Sequence, residues 1–263
     1  MRSSPDSWVP PGAWLADGYA EWQPPAALRG PVACLWACVV PDGAGRASLV
    51  LPDACSDLIW ERGVGGYVAG PDTGPVRVES GAGTVIAGVR FRPAAGGQVL
   101  GLPLSELRDQ RVPLADVLPA AARPLAAALT SALTPAEAAE RLLDVTGRLL
   151  AGAVPDPAVT DAATRLRDPS VHAEDIAARA GLSERQFRRR CHAAAGYGPK
   201  TLQRILRFQR FVRLIDAAAE TPDLAAAAAR AGYADQPHLT RECQALSGCS
   251  PATLHRLRRA PAA

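Results

Sequence analysis

Between Arg185 and Arg213 the chain carries nine basic side chains and no acidic one. Arg185, Arg188, Arg189 and Arg190 cluster there around Gln186. Guanidinium and amide groups make bidentate hydrogen bonds with base edges, and guanidinium also neutralises phosphate. Gln236, His238, Thr240 and Arg241 form a second, less basic set. A different chemistry is open to Trp36, Cys55, Asp57, Trp60 and Arg90. Aromatic walls with a few polar groups are what small-molecule pockets use. The bland alternative is that both tryptophans are core and Asp57 caps a turn. Cys34, Cys38 and Cys55 invite a thiolate metal site. On one strand, however, Cys34 and Cys38 would stand roughly 13 Å apart, too far for one ion without a bend. No nucleotide-binding glycine loop or hydrolase nucleophile motif is present, so neither catalysis nor a cofactor or metal is expected.

The elements that must position the basic sets follow from an internal repeat. Gly196-Tyr-Gly-Pro199-Lys-Thr201-Leu202 recurs as Gly248-Cys-Ser-Pro251-Ala-Thr253-Leu254, and Phe187, Arg189 and Cys191 recur as Leu239, Arg241 and Cys243. Upstream, Ala180-Gly181-Leu182 matches Ala231-Gly232-Tyr233, leaving the second copy one residue longer in its turn. Each copy reads as helix, tight turn, helix. In the first, Glu174–Ala180 is a short helix, Gly181 supplies a positive φ, Leu182 plugs the core, and Ser183 caps a helix with Phe187, Cys191 and Ala194 on its apolar face. That is a helix-turn-helix, whose second helix enters the DNA major groove. Between the copies, residues 200–219 read as a long amphipathic helix carrying Leu202, Ile205, Leu206, Phe208, Phe211, Val212 and Ile215. It would hold the two units at a fixed separation. Lys200 and Arg207 complete the expected DNA-contacting set: Arg185, Gln186, Arg188, Arg189, Lys200, Arg207, Gln236, His238 and Arg241.

The first half has another texture. Val32–Val40, Ala47–Leu51, Asp57–Trp60, Gly65–Ala69, Val76–Glu79 and Thr84–Phe91 are short β-prone runs separated by Gly, Pro and Asp turns. After Arg92-Pro93, Gly97–Leu100, Leu104–Arg108, residues 119–133 and Pro135–Leu150 read as helical, with Thr134 as a cap. Residues 151–157 form a linker. The first 154 residues carry 12 basic and 15 acidic side chains, and the remainder 17 and 11, so a mildly acidic half precedes a basic one. At 48% hydrophobic and 21% charged, the composition argues against a largely disordered chain. The longest apolar run, Val32–Val40, is far short of a membrane span, and the residues after Arg2 do not form a signal peptide. A cytoplasmic protein with reduced thiols is expected. The expected fold class is α+β. A mixed strand/helix, barrel-like domain (1–154) precedes an all-α domain (155–263) with helix-turn-helix units at about 173–195 and 223–247.

The second half resembles the DNA-binding domain of the AraC/XylS family of transcription regulators. The resemblance rests on Ile176 through Ser183, Phe187 through Cys191, Gly196 through Pro199, Ala231 through Asp235, Leu239 through Arg241, and Gly248 through Pro251. It implies seven helices with two helix-turn-helix units. Base-contacting side chains would stand at Arg185, Gln186, Arg188 and Arg189 in the first unit, and at Gln236, His238 and Arg241 in the second. Cys191 and Cys243 stand where family members usually carry an aromatic, and Leu224–Ala229 is almost pure alanine, which implies smaller cores in the units and a marginal second unit. The first half resembles the sensor-like domain found ahead of such domains in actinobacterial regulators, through Leu35-Trp36, Leu51 through Trp60, Ala69 through Thr73, and Gly88 through Pro93. This implies effector binding or dimerisation. The expected partners are double-stranded DNA, with RNA polymerase and a small effector beside it, and no membrane. The chain would act as a monomer or homodimer. Two alternatives stay open: a DNA-repair protein transferring alkyl groups to a zinc-bound cysteine, and a non-specific architectural DNA binder.

Overall fold

A computed structural model describes residues 18–43, 45–118, 120–132, 134–218 and 222–259. The end of the expected linker helix at Ala219, the ends of the expected helix 119–133 and the segment after Arg2 lie outside them.

The N-terminal half contains β1 (Gly18–Trp22), β2 (Val32–Val39), β3 (Arg46–Val50), β4 (Ser56–Glu61), β5 (Gly65–Ala69), β6 (Val76–Ser80), β7 (Val85–Phe91) and β8 (Arg111–Pro113). Six strands make one antiparallel sheet in the order β1-β2-β7-β4-β5-β8, and β3 pairs with β6 as a separate ribbon. The expected barrel therefore corrects to an open sheet. The strands missed in the sequence, β1 and β8, are the two edges. β1 alternates half-buried and exposed residues, and β8 is three residues long, so neither carries an apolar run.

The central strands are buried on both faces, which is why they read as continuous apolar runs. Successive side chains point to opposite faces. Leu35, Leu58, Trp60, Val89 and Phe91 face one way, into a core shared with Leu104, Leu129 and Leu142 from the following helices. Cys34, Trp36, Ile59, Ala69 and Ile86 face the other way. The helices packed on the first face are α1 (Gly96–Leu100), α2 (Leu114–Val117), α3 (Arg123–Thr130) and α4 (Pro135–Leu150). Thr134 starts α4 with a full capping box to Glu137.

The C-terminal half is helical: α5 (Pro157–Arg165), α6 (Ala173–Arg179), α7 (Glu184–Ala195), α8 (Pro199–Asp216), α9 (Leu224–Ala231), α10 (Gln236–Ser247) and α11 (Pro251–Arg259). Helix α8 buries all seven of the apolar residues expected of it, Leu202 through Ile215. Among the described residues no helix is long and apolar enough to cross a membrane.

The two halves are packed together. Ala54 and Ala94 of the first half are buried in the same core as α5–α8. Helix α1 and the 3₁₀ turn Leu104–Glu106 pack on α7. The approach is close: a Cβ on Gly97 would lie 2.4 Å from the Ala193 carbonyl oxygen. Gly97→Ala is therefore expected to destabilise the chain by about 1–3 kcal/mol, because backbone must shift. Gly147, exposed inside α4 with open space around its α-carbon, supplies the contrast. Gly147→Ala should be neutral or stabilising by up to about 1 kcal/mol. Thermal melts of the two variants beside wild type check both signs.

Candidate nucleic-acid interface and ligand pocket

Helix α6 ends at Arg179 with Ala180 as its C-cap, and Gly181 turns the chain at φ +64°. Leu182 donates its N–H back to the Ala177 carbonyl. Ser183 caps α7 in a capping box with Gln186, accepting from the Gln186 N–H at 3.3 Å while the Gln186 side-chain oxygen accepts from the Ser183 N–H at 2.9 Å. The second unit repeats this with one more residue. Gly232 turns at φ +92° and Asp235 caps α10, accepting from the His238 N–H at 2.6 Å. Only glycine adopts such angles without strain.

Helix α7, the second helix of the first unit, presents cations to solvent. Arg185, Arg188 and Arg189 are exposed and line one shallow concavity with His192 and Glu184. Arg190 points elsewhere and pairs with Asp156 at 3.6 Å. Gln186 is exposed with its oxygen held in the cap, which leaves its amide N–H groups free to face a partner. Lys200 is exposed at the start of α8. In the second unit Gln236, Thr240 and Arg241 are exposed, and His238 is half-buried with its ring edge-on to Tyr233, centroids 5.2 Å apart.

Arg207 does not belong to this surface. Its guanidinium lies 4.9 Å from the Tyr233 ring centroid and 3.7 Å from a Glu242 carboxylate oxygen, which also accepts from Arg204 at 3.0 Å. It ties α8 to α10 from the inside. The helical spacing that put it on a polar face could not show that α10 covers that face.

The pocket stands on the sheet face turned towards the β3–β6 ribbon, with a volume of about 190 Å³. Trp36, Cys55, Asp57 and Arg90 line it. Trp60 does not: two-residue alternation along β4 puts it with Leu58 in the opposite core, 1% exposed. The sequence reading missed Tyr19, Tyr67, Asp53, Asp72 and Arg111, which also line the pocket. Tyr67 was legible, because it sits on a recognised strand facing the same way as Asp57.

Arg90 is the hub of the pocket floor. It donates to Asp57 at 3.2 Å and to Glu21 at 3.4 Å, and lies 3.7 Å from Asp53. The Trp36 indole N–H donates to the same Asp57 oxygen at 2.6 Å. Arg111 makes a bidentate pair with Asp72, at 2.8 and 2.7 Å. Burial opposes the charge on Arg90, but Asp57 and Asp53 outweigh it and hold the guanidinium protonated. Burial also lifts Asp57 to about 6, against the pull of Arg90 and the Trp36 hydrogen bond. Burial pushes the Cys34 thiol up to about 12 and Cys55 well above its usual value, so both are thiols rather than thiolates at neutral pH.

The floor of the pocket touches the helical half. Asp53 and Cys55 line the pocket, while between them Ala54 is buried among the helices. Just before them, the Pro52 carbonyl accepts from the Gln209 side-chain N–H of α8 at 2.7 Å.

The lifted carboxyl makes stability pH-dependent. The folded value, about 6, lies above the ordinary 3.8, so the contribution of protonated Asp57 is fully present below about pH 4 and lost as pH rises to about 6. Urea unfolding should show wild type losing stability relative to Asp57→Asn across that window and holding level above it. A difference that does not change with pH would contradict the burial of this group.

Comparison with known proteins adds the following. A family model described as a helix-turn-helix domain matches residues 176–257. A model described as a domain of unknown function (DUF6597) matches residues 20–113. No curated protein matches the chain. Among solved structures it is similar to ToxT from Vibrio cholerae, at 8% identity and a TM-score of 0.45, covering 88% of this chain and 100% of that one. It is also similar to ToxT of that organism solved with a bound unsaturated fatty acid, at 10% identity and a TM-score of 0.42, covering 86% and 95%. With the two capped units and their exposed cations, the match assigns residues 176–257 to a helix-turn-helix domain, carried behind a domain of unknown function at residues 20–113.

Proposed function

We propose that this chain is a sequence-specific DNA-binding transcription regulator that reads two successive major grooves and answers to a small effector in the N-terminal pocket. The observation that carries the reading is the repeated unit. Two capped recognition helices, α7 and α10, are held by one rigid connecting helix, and both present Arg and Gln side chains to solvent. Arg185, Gln186, Arg188 and Arg189 would face one groove, and Gln236, His238 and Arg241 the next, with Lys200 on phosphate. Two grooves on one face of DNA lie about 34 Å apart.

The effector reading rests on the pocket and on the loop behind it. A ligand that engages Asp53 or Cys55 pulls on a segment packed against α8, the helix that sets the spacing of the two units. It alters DNA affinity only through unequal affinity for the two arrangements, typically about 1–3 kcal/mol of coupling. The alkyl-transfer alternative is disfavoured because its zinc-bound cysteine needs a four-thiolate cluster, whereas the first half carries three cysteines, Cys34, Cys38 and Cys55.

The test is direct readout on a duplex selected by the chain from a random library. Arg189→Ala should cost about 1–3 kcal/mol on that duplex and relax preference at one base position. Equal losses on selected and unrelated duplexes would reduce Arg189 to a phosphate contact and favour the architectural reading. Arg207→Ala should behave differently. It lowers the melting temperature by removing an interior contact, and it leaves base preference unchanged.

A further inference from the structure

Arg108 belongs to the N-terminal half but stands beside the first recognition helix. The backbone that carries it is anchored, because Leu104 and Leu107 are buried and the turn Leu104–Glu106 packs on α7. Its side chain is half-exposed, and its ion-pair partner among the described residues is Asp109 at 4.0 Å. Both Asp109 oxygens already accept from Thr73, one of them from its N–H as well, so Arg108 keeps most of its charge for another anion.

What surrounds it is basic. Arg108, Arg188 and Lys200 line a single groove of about 360 Å³, and Arg188 also lines the adjoining concavity with Arg185 and Arg189. Five cations thus run in one strip from the recognition helix across the domain boundary, against the carboxylates of Glu174 and Glu184. His192 lies within the strip as a neutral ring, its pKa held down by burial, then by Arg188 and Arg108.

We propose that Arg108 is part of the DNA-binding surface, where with Lys200, and beside Arg188, it holds a backbone phosphate flanking the groove that α7 enters. The inference rests on the reading of α7 as a recognition helix. Continuity with Arg185 and Arg189 selects DNA over other polyanions as the occupant. The convergence of side chains from three separate segments suits a phosphate oxygen cluster rather than a base edge, which a single helix face reads. One consequence follows for regulation: the phosphate site is complete only while the two halves stay docked. Domain separation would weaken binding without disturbing either recognition helix.

The experiment uses the full-length chain, with Arg108→Ala, Arg108→Lys and Lys200→Ala variants. Affinity is measured for a duplex selected from a random library and for an unrelated duplex of equal length, from about 50 to 200 mM salt. Arg108→Ala should weaken both duplexes by a similar factor, about 3–10-fold. It should also reduce the slope of log affinity against log salt by about 1, as Lys200→Ala does. Arg108→Lys should keep the slope and most of the affinity. If Arg108→Ala melts below wild type, Arg108→Gln, which keeps the hydrogen bonding and loses the charge, takes its place. Wild-type affinity and slope in the charge-removing variant overturn the proposal, as does a loss confined to the selected duplex. Failure of wild type to bind either duplex overturns the regulator reading itself, and this inference with it.

Discussion

The burial of one side of α8 is the constraint on which the rest of the molecule depends. Leu202, Ile205, Leu206, Phe208, Phe211, Val212 and Ile215 are all inside, and each such side chain is worth about 1.5–3 kcal/mol when fully removed from water. The polar side of the same helix makes the specific connections. Gln203 donates to the Val171 carbonyl ahead of α6, Arg204 and Arg207 pair with Glu242 of α10, and Gln209 donates to the Pro52 carbonyl of the N-terminal half. One helix therefore fixes the first unit, the second unit and the Pro52 loop of the N-terminal half relative to each other. A rotation of α8 cannot be local to any of the three.

The N-terminal half uses its sheet twice. One face is packed with helices and supplies the core. The other holds a pocket in which Arg90 is surrounded by carboxylates and Asp57 is shared between Arg90 and Trp36. Charges in such a setting are costly to leave unpaired. The network is therefore sensitive to any ligand that competes for Asp57 or Asp53. Because Asp53 and Cys55 flank the buried Ala54, whose φ is +68°, the pocket floor and the interdomain contact are the same short segment.

The helix-turn-helix half was legible in the sequence because its determinants are local. Gly181 and Gly232 turn the chain, Ser183 and Asp235 cap the next helix, and the apolar spacing of α8 marks its buried side. Cap, turn and period are properties of neighbouring residues. The N-terminal strands were legible where they are central and apolar, and illegible at the edges, where pairing with one neighbour demands no apolar run. The pocket was legible in part. Alternation along β4 separates Asp57 from Trp60 once the strand's facing is known, but the facing itself is a tertiary fact. Arg207 looked like a surface cation because sequence spacing cannot show that Tyr233 and Glu242 come to lie over it. Arg108 lay furthest from view, since its nearness to Arg188 and Lys200 arises only where α1 and the turn Leu104–Glu106 pack on α7.

The central claim is that one chain places two different recognition helices in successive major grooves. Hydroxyl-radical footprinting of the full-length protein on a selected duplex tests it most directly, combined with a stoichiometry measurement on the same complex. The account predicts two protected patches centred about one helical turn, roughly 10.5 base pairs, apart on one face of the duplex, at one chain per two patches. A single patch per chain, or uniform protection with no dependence on sequence, would contradict it.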